Sequence, residues 1–150
     1  KKWGFKEQEL AAKSSTLGHS LGAAVAFDTA GRYPFSRIVA ISPFTTMKAM
    51  AKRQMGGFMA SMLSHLYDNE SSLDQILVRP DRPEITILHG DKDYLIPLSM
   101  SRKLVERSGE PDRIELIVVP GAGHNDIIFS AEPQLLELLR AEGKGKISGD

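Results

Sequence analysis

Ser20 stands between two glycines in "TLGHSLGAA", residues 16–24, with the spacing Gly-x-Ser-x-Gly. A serine on a sharp strand-to-helix turn has its hydroxyl lifted clear of the sheet, where it can act as a nucleophile. The same turn would place the Leu21 amide at a helix N-terminus, where it can donate to a developing oxyanion. Gly18 and Gly22 would then allow the strand and the helix to approach closely. Taken alone, the pattern also fits a tight turn of small residues with no chemical role.

A nucleophilic serine needs a base to remove its proton, so the four histidines are the first test of the pattern. His124 lies in the glycine-rich "PGAGHND", directly after the last predicted strand, and ligand sites form at the carboxyl ends of parallel strands. His89 ends an apolar run, which favours a hydrogen-bonded structural residue. His19 should pack or hydrogen-bond locally, because adjacent residues on such a turn point apart, and His65 fits a satisfied helix histidine. His124 is therefore the preferred base.

The third group of such a site is a carboxylate that orients the imidazole, and "LHGDKDYLIP" offers Asp91 and Asp93. This stretch follows another predicted strand, again at its carboxyl end. A solvated turn is the alternative interpretation, since aspartate is common in loops. A calcium loop is not favoured, because the glycine and the distal glutamate that it requires are missing. From the residues alone, either aspartate could be the acid.

Composition narrows the chemistry further. The 150-residue chain has no cysteine, which excludes disulfides, thiol catalysis and cysteine-ligated metal sites. Its 19 basic and 19 acidic side chains balance, so its charge gives no reason to expect nucleic acid as a partner. No apolar run approaches the roughly 20 residues of a membrane span, and "KKWGFKEQEL" lacks the apolar core of a signal peptide. These features favour a cytoplasmic location.

Four short apolar segments predict the strands that would position these residues: 14–17, 37–42, 84–89 and 113–119. Helical patterns lie between them, the first over 21–30 with Gly31 as a left-handed stop and another that ends at Gly109. A last helix should place Leu135, Leu138 and Leu139 on one face. Strands that alternate with helices predict an α/β fold, with a parallel sheet of about four strands and flanking helices.

The segment from about 45 to 82 departs from this alternation and is interpreted as a helical insert between strands. It carries five methionines, at Met47, Met50, Met55, Met59 and Met62. Methionine side chains fill irregular shapes, so the set fits either an adaptable groove for an acyl chain or ordinary core packing. The polar, glycine-bearing tail at about 142–150 is predicted to be mobile.

Four motifs appear in order across residues 16–130: "GHSLGAAVA", "ISPFTTMKAMAK", "ILHGDKDYLIP" and "VVPGAGHNDII". In these motifs the chain resembles the α/β-hydrolase family, and more narrowly its BEM46-like and ABHD17-like serine hydrolases. The order serine, acid, histidine is the one typical of that fold. Position by position, the resemblance implies Ser20 as nucleophile, Asp93 as acid and His124 as base, with Asp91 as the alternative acid and the Leu21 amide as an oxyanion donor.

The resemblance implies hydrolysis of a carboxylic ester or acyl thioester through an acyl-enzyme, on a small-molecule or lipid-like acyl substrate, without metal or organic cofactor. Family members carry several strands before the nucleophile, whereas only 19 residues precede Ser20 here. Residues 1–150 are therefore expected to form a single, partial α/β-hydrolase domain, equivalent to its C-terminal half. Its first strand would be an open edge available for pairing. The alternative function is a catalytically inactive fragment that serves as a binding module through this edge.

Overall fold

The computed structural model describes residues 10–55, 67–110 and 113–142. His65, Met59, Met62 and the tail from residue 143 onward lie outside the described residues. The elements follow in the order β1 (Ser15–His19), α1 (Leu21–Arg32), β2 (Arg37–Ile41), α2 (Met47–Met55), α3 (Asn69–Leu77), β3 (Glu84–Gly90), α4 (Leu98–Arg107), β4 (Ile114–Val119), α5 (Ile127–Ser130) and α6 (Glu132–Glu142). The four predicted strands are all present, although β1 runs on to His19, beyond its predicted end at Leu17.

The strands form one parallel sheet in the order β1-β2-β3-β4, as the alternating pattern predicts. Leu17 pairs with Val39, Val39 with Thr86, and Thr86 with Glu115, so the register runs straight across the sheet. Since all four strands point the same way, their carboxyl ends meet at one edge. The segments that follow β1, β3 and β4 carry the predicted site residues, and the topology brings them to this edge.

Alternate residues of β2 point to opposite faces of the sheet, and each face has its own core. Ile38 and Ala40 pack beneath α1 and α3, while Val39 and Ile41 pack beneath α5 and α6. Burying each fully enclosed Ile or Leu contributes on the order of 1.5–3 kcal/mol. The first face is covered by α1 and α3 residues Ala23, Ala26, Phe27, Ala30, Leu73 and Ile76, and the second by Ile127, Ala131, Leu135 and Leu138.

Two details of the predicted helices are wrong. The first helix does not stop at Gly31 but continues to Arg32, and extended backbone at Tyr33 ends it. A Cβ on Gly31 would lie 3.1 Å from the Gln75 side-chain oxygen, so close packing against α3 explains this glycine better than a left-handed turn. Gly109, in contrast, has the left-handed φ of 64° expected of a helix stop. Leu139 is 50% exposed, because the buried stripe of α6 is too narrow to include it.

In the predicted insert, the structure describes α2 and α3. Met47 and Met50 are partly buried and pack against a small apolar cluster that contains Ala24, Phe44 and Ile96. The cluster joins α1, the segment after β2 and the segment before α4. None of the helices in the described ranges combines the length and the apolar character needed to cross a bilayer.

Candidate active site

Ser20 occupies the turn between β1 and α1 with φ 57° and ψ −117°, a conformation that residues with a Cβ rarely adopt. Such backbone strain costs on the order of 1–3 kcal/mol. Two bonds fix the turn: the Ser20 amide donates to the Ile41 carbonyl at 2.9 Å, and the Ser20 carbonyl accepts from the Ala23 amide at 3.1 Å. The expected sharp strand-to-helix turn is therefore present.

Only one of the two flanking glycines lacks space for a side chain. A Cβ on Gly18 would lie 2.1 Å from the Gly22 carbonyl oxygen, so β1 and α1 can approach only because Gly18 has none. A Cβ on Gly22 would meet nothing within 4 Å. The expectation that close packing requires glycine is confirmed at Gly18 and wrong at Gly22. Gly22 takes part only through its backbone carbonyl, which Gly18 approaches.

The His124 imidazole bridges the serine and a carboxylate. Its Nε2 lies 3.0 Å from Ser20 Oγ, and its Nδ1 lies 2.7 Å from Asp93 Oδ2. With Nδ1–H donating to the carboxylate, Nε2 is left to accept the serine proton. The His124 side chain is 9% exposed and that of Asp93 is fully buried, so the linked groups are largely shielded from water.

Asp93 is held by its own loop as well as by His124. Its Oδ1 accepts hydrogen bonds from the amides of Leu95 at 3.0 Å and Ile96 at 2.8 Å. Burial by itself would raise the pKa of Asp93, but the hydrogen bonds from His124 and the Ile96 amide outweigh it and hold the pKa below its usual value. The carboxylate is therefore ionised at neutral pH, with Oδ2 directed at His124.

The other aspartate of the loop has a different partner. Asp91 Oδ1 accepts from the Gly121 amide at 2.7 Å, and Gly121 has the left-handed φ of 77°. The neighbouring Lys92 amide donates to the Ala122 carbonyl at 3.0 Å. Asp91 thus joins the acid loop to the histidine loop, and the structure brings Asp93 rather than Asp91 to His124.

His19 and His89 also reach the site region. The prediction for His89 is confirmed: it is fully buried, with Nδ1 2.6 Å from Ser101 Oγ and Nε2 2.8 Å from the Ile96 carbonyl. The prediction of local bonding for His19 is wrong. Its Nε2 donates to the His124 carbonyl at 3.0 Å, and the two rings lie 4.8 Å apart between centroids.

The contact of His19 could not be found from local sequence, because its partner lies 105 residues away. The one available signal was its place at the carboxyl end of β1, the edge where the histidine loop also lies. Burial lowers the pKa of His19, and the nearby His124 lowers it further. His19 is therefore neutral at neutral pH and joins the strand that carries Ser20 to the histidine loop.

Leu21 is the first residue of α1, and the first amides of a helix have no partner within the helix. Its N–H has no partner within α1 and lies directly after the serine. Within residues 10–55, 67–110 and 113–142, no three His, Asp or Glu side chains are grouped so that they could hold a metal ion.

Known proteins are similar to this chain in sequence and in fold. The chain is 32% identical over 126 residues to an uncharacterized protein of Mycobacterium tuberculosis, covering 84% of this chain and 41% of the relative. It is 30% identical over 112 residues to human alpha/beta hydrolase domain-containing protein 17B, covering 73% of this chain and 35% of the relative. The chain therefore spans well under half the length of these curated relatives. No protein-family model matches it.

Solved structures match the fold at low sequence identity. An esterase of Pyrococcus furiosus superposes with a TM-score of 0.67 at 18% identity, over 87% of this chain and 53% of the esterase. The four-stranded parallel sheet with its flanking helices is thus part of a known hydrolase architecture. Sequence relatives and fold agree, and the chain belongs to the α/β-hydrolase family, in the group related to the alpha/beta hydrolase domain-containing 17 proteins.

Proposed function

We propose that this chain carries the Ser-His-Asp triad of a serine hydrolase that cleaves a carboxylic ester or an acyl thioester through an acyl-enzyme. Ser20 is the nucleophile, His124 the general base and Asp93 the acid. The observation that supports this most directly is the position of the His124 ring between Ser20 Oγ at 3.0 Å and Asp93 Oδ2 at 2.7 Å. These distances lie within the range required for proton transfer.

In the first half of the reaction, Ser20 Oγ attacks the carbonyl carbon while His124 Nε2 takes the serine proton. The Asp93 carboxylate stabilises the imidazolium that forms, and it keeps Nδ1–H directed away from the serine. The Leu21 amide donates to the oxyanion of the tetrahedral intermediate. One such donor contributes about 2.7–4 kcal/mol to the stability of the transition state. His124 then gives its proton to the departing alcohol or thiol, and the acyl group stays on Ser20.

In the second half, water replaces the leaving group. His124 removes a proton from the water as it attacks the acyl-serine carbonyl, and the same proton returns to Ser20 Oγ when the acid product leaves. No redox step or external co-reactant is needed, because water supplies the only atoms added. A resident cofactor plays no part in this proposal.

Apolar side chains lie close to the triad and are consistent with the proposed acyl substrate. Ala24 follows Ser20 by four residues on α1, and Ile96 donates its amide to Asp93; both belong to the apolar cluster that Met47 and Met50 pack against. Tyr94, next to Asp93, is 79% exposed. Apolar side chains around a few polar groups are typical of small-molecule sites. The proposed substrate is therefore a small-molecule or lipid-like acyl compound.

A fluorophosphonate probe tests the nucleophile directly, since it reacts covalently with activated serines. The folded chain should be labelled, and Ser20→Ala should abolish labelling while its circular dichroism spectrum stays unchanged. Ser36→Ala is the matched control, because it removes a serine hydroxyl at the amino end of the sheet, where Ser36 Oγ donates to the Ser14 carbonyl at 3.0 Å. Labelling that persists in Ser20→Ala would overturn the proposed nucleophile. A folded chain that is not labelled would favour the binding module over the enzyme.

Substrate class is tested separately with p-nitrophenyl esters and acyl thioesters of increasing chain length, together with peptide anilides. We expect turnover of esters or thioesters, lost in Ser20→Ala. Cleavage confined to the peptide anilides would replace the proposed substrate class while leaving the proposed triad in place.

A further inference from the structure

His89 is a buried ionisable group that the proposed mechanism does not use. It lies near the carboxyl end of β3 with no exposed surface, although histidine is seldom fully enclosed. Both ring nitrogens have partners, Ser101 Oγ at 2.6 Å and the Ile96 carbonyl at 2.8 Å. Its Nε2 also lies 3.5 Å from Asp93 Oδ2, the oxygen that contacts His124.

The partners of the ring fix its tautomer. A carbonyl oxygen can only accept, so Nε2 carries the proton that is donated to Ile96. Nδ1 then accepts from the Ser101 hydroxyl. The titratable groups that face the ring are Asp93 and His124, but burial is the largest effect and lowers the pKa of His89. The ring is thus neutral, with its one N–H directed at the loop that contains Asp93.

Ile96 links His89 to the Asp93 carboxylate. Its amide donates to Asp93 Oδ1 at 2.8 Å, its carbonyl accepts from His89, and its side chain is buried in the apolar cluster. With Oδ1 occupied by the loop amides, only Oδ2 is available to His124. Holding Ile96 therefore sets which carboxylate oxygen faces the imidazole.

Ser101 connects this arrangement to the next helix. It lies in the first two turns of α4, which begins at Leu98, directly after Pro97. Ser101 is fully buried, so the ring of His89 is held between the end of β3 and α4 while the acid loop passes over it. The His89 side chain thus adds a contact at the base of the loop to the backbone bond from the Asp93 amide to the Gly90 carbonyl at 3.3 Å.

We propose that His89, oriented by Ser101, is a positioning residue that holds the Asp93 carboxylate in the orientation required by His124. This inference rests on the proposed function, because it assigns a role to a residue that acts through Asp93. His89 does not touch the substrate. Its contribution is to reduce the number of orientations available to the acid loop before the reaction starts.

Three variants and a control test it kinetically. His89→Leu removes the donor to Ile96, His89→Gln keeps a neutral N–H donor of similar reach, and Ser101→Ala removes the bond that orients the ring. Thr86→Val is the control, since it deletes another buried hydroxyl from the same strand, bonded to Glu115 at 3.4 Å and away from the site. All four are compared with the wild-type chain.

We expect His89→Leu to lower kcat by up to about a hundredfold with little change in KM, because misplacing a catalytic group by about 1 Å has effects of this size. His89→Gln should restore most of kcat, and Thr86→Val should leave it unchanged. Ser101→Ala should fall between them, and the double variant with His89→Leu should lose no more than His89→Leu alone. A folded His89→Leu variant with wild-type kcat would overturn the proposal, as would an equal loss in His89→Gln.

Histidine NMR provides a readout that does not depend on turnover. At neutral pH the His89 ring should show the Nε2–H tautomer, and the hydrogen-bonded Nδ1 proton of His124 should be visible. His89→Gln should keep the His124 signal and Ser101→Ala should weaken it. If the chain hydrolyses no substrate but these signals behave as expected, the proposed function fails while the positioning of Asp93 stands. A charged His89 ring, or a His124 signal insensitive to all variants, would overturn the inference.

Discussion

At the carboxyl ends of the strands, polar side chains are buried and bonded to one another across long stretches of sequence, whereas at the amino ends they pair near the surface. Asp93, His89 and His124 have almost no exposed side chain. At the amino ends, Arg37 and Glu84 begin β2 and β3 and form an ion pair at 2.7 Å, with the Glu84 side chain 74% exposed.

The difference in burial decides what each set of groups can do. Charged and polar groups in a water-poor site interact strongly, and each must be satisfied by a defined partner. Exposed ion pairs are screened by water and contribute little. The carboxyl end of the sheet therefore holds one specific arrangement of Ser20, His124 and Asp93, while the amino end can tolerate substitution.

The difference between the carboxyl and amino ends of the sheet is tested most strongly at Asp93. Asp93→Asn keeps the oxygen that accepts the Leu95 and Ile96 amides but turns an N–H group toward His124 Nδ1. The imidazole would then adopt the wrong tautomer, so kcat should fall by about 10⁴-fold. Asp91→Asn, which removes charge from the Gly121 contact, should reduce kcat much less. Steady-state kinetics on the preferred ester would measure both, and equal losses would contradict the separate positions of the two aspartates.

Gly18 tests the packing beneath Ser20. In Gly18→Ala the added Cβ would lie 2.1 Å from the Gly22 carbonyl, and backbone must move to relieve the clash. Overpacking of this kind costs about 1–3 kcal/mol or more of unfolding free energy. Gly22→Ala, whose Cβ has open space, should be neutral or slightly stabilising, since alanine favours helices. Urea denaturation would compare the two, and similar stabilities would show that β1 and α1 can separate without cost.

Much of this architecture was predictable because it depends on short-range patterns. Apolar runs bounded by turn residues gave the four strands, and their alternation with helices gave the parallel sheet. Parallel strands bring their carboxyl ends together, so residues of three separate loops could be expected at one edge. The choice of Asp93 over Asp91 needed the family resemblance, because both follow the same strand and differ by only two positions.

The contacts that sequence could not predict are those between loops. His19 bonds to the carbonyl of His124, and Asp91 to the amide of Gly121; neither partner is marked by a local pattern. The prediction for Gly31 is wrong for the same reason, since its neighbour Gln75 belongs to another helix. Local sequence patterns predict which side chains lie at the edge of the sheet. The backbone groups to which those side chains bond depend on the exact path of each loop.

The buried histidines predict an acid sensitivity specific to the carboxyl end. The pKa of His89 is lowered by burial from 6.5, so below that pH the unfolded chain binds a proton that the folded chain does not. Above about pH 6.5 His89 should not reduce the free energy of unfolding. Below that pH the free energy of unfolding should decrease, by up to about 1.4 kcal/mol per pH unit for this residue. In His89→Gln the fall should be shallower. Denaturation at a series of pH values measures this, and parallel curves for the two proteins would show that His89 becomes charged in the folded state.

The smallest effect is expected at the amino ends. Arg82 pairs with Glu110 at 2.9 Å, and both side chains are partly exposed. A double-mutant cycle with Arg82→Gln and Glu110→Gln should give a coupling of about 0.2–1 kcal/mol that decreases with added salt. Each single variant should leave kcat unchanged, since the pair lies at the opposite end of the sheet from Ser20. A larger coupling, or a loss of activity, would contradict the independence of the two ends of the sheet. It would mean that a change at the amino ends alters the strands that position Ser20 at the carboxyl ends.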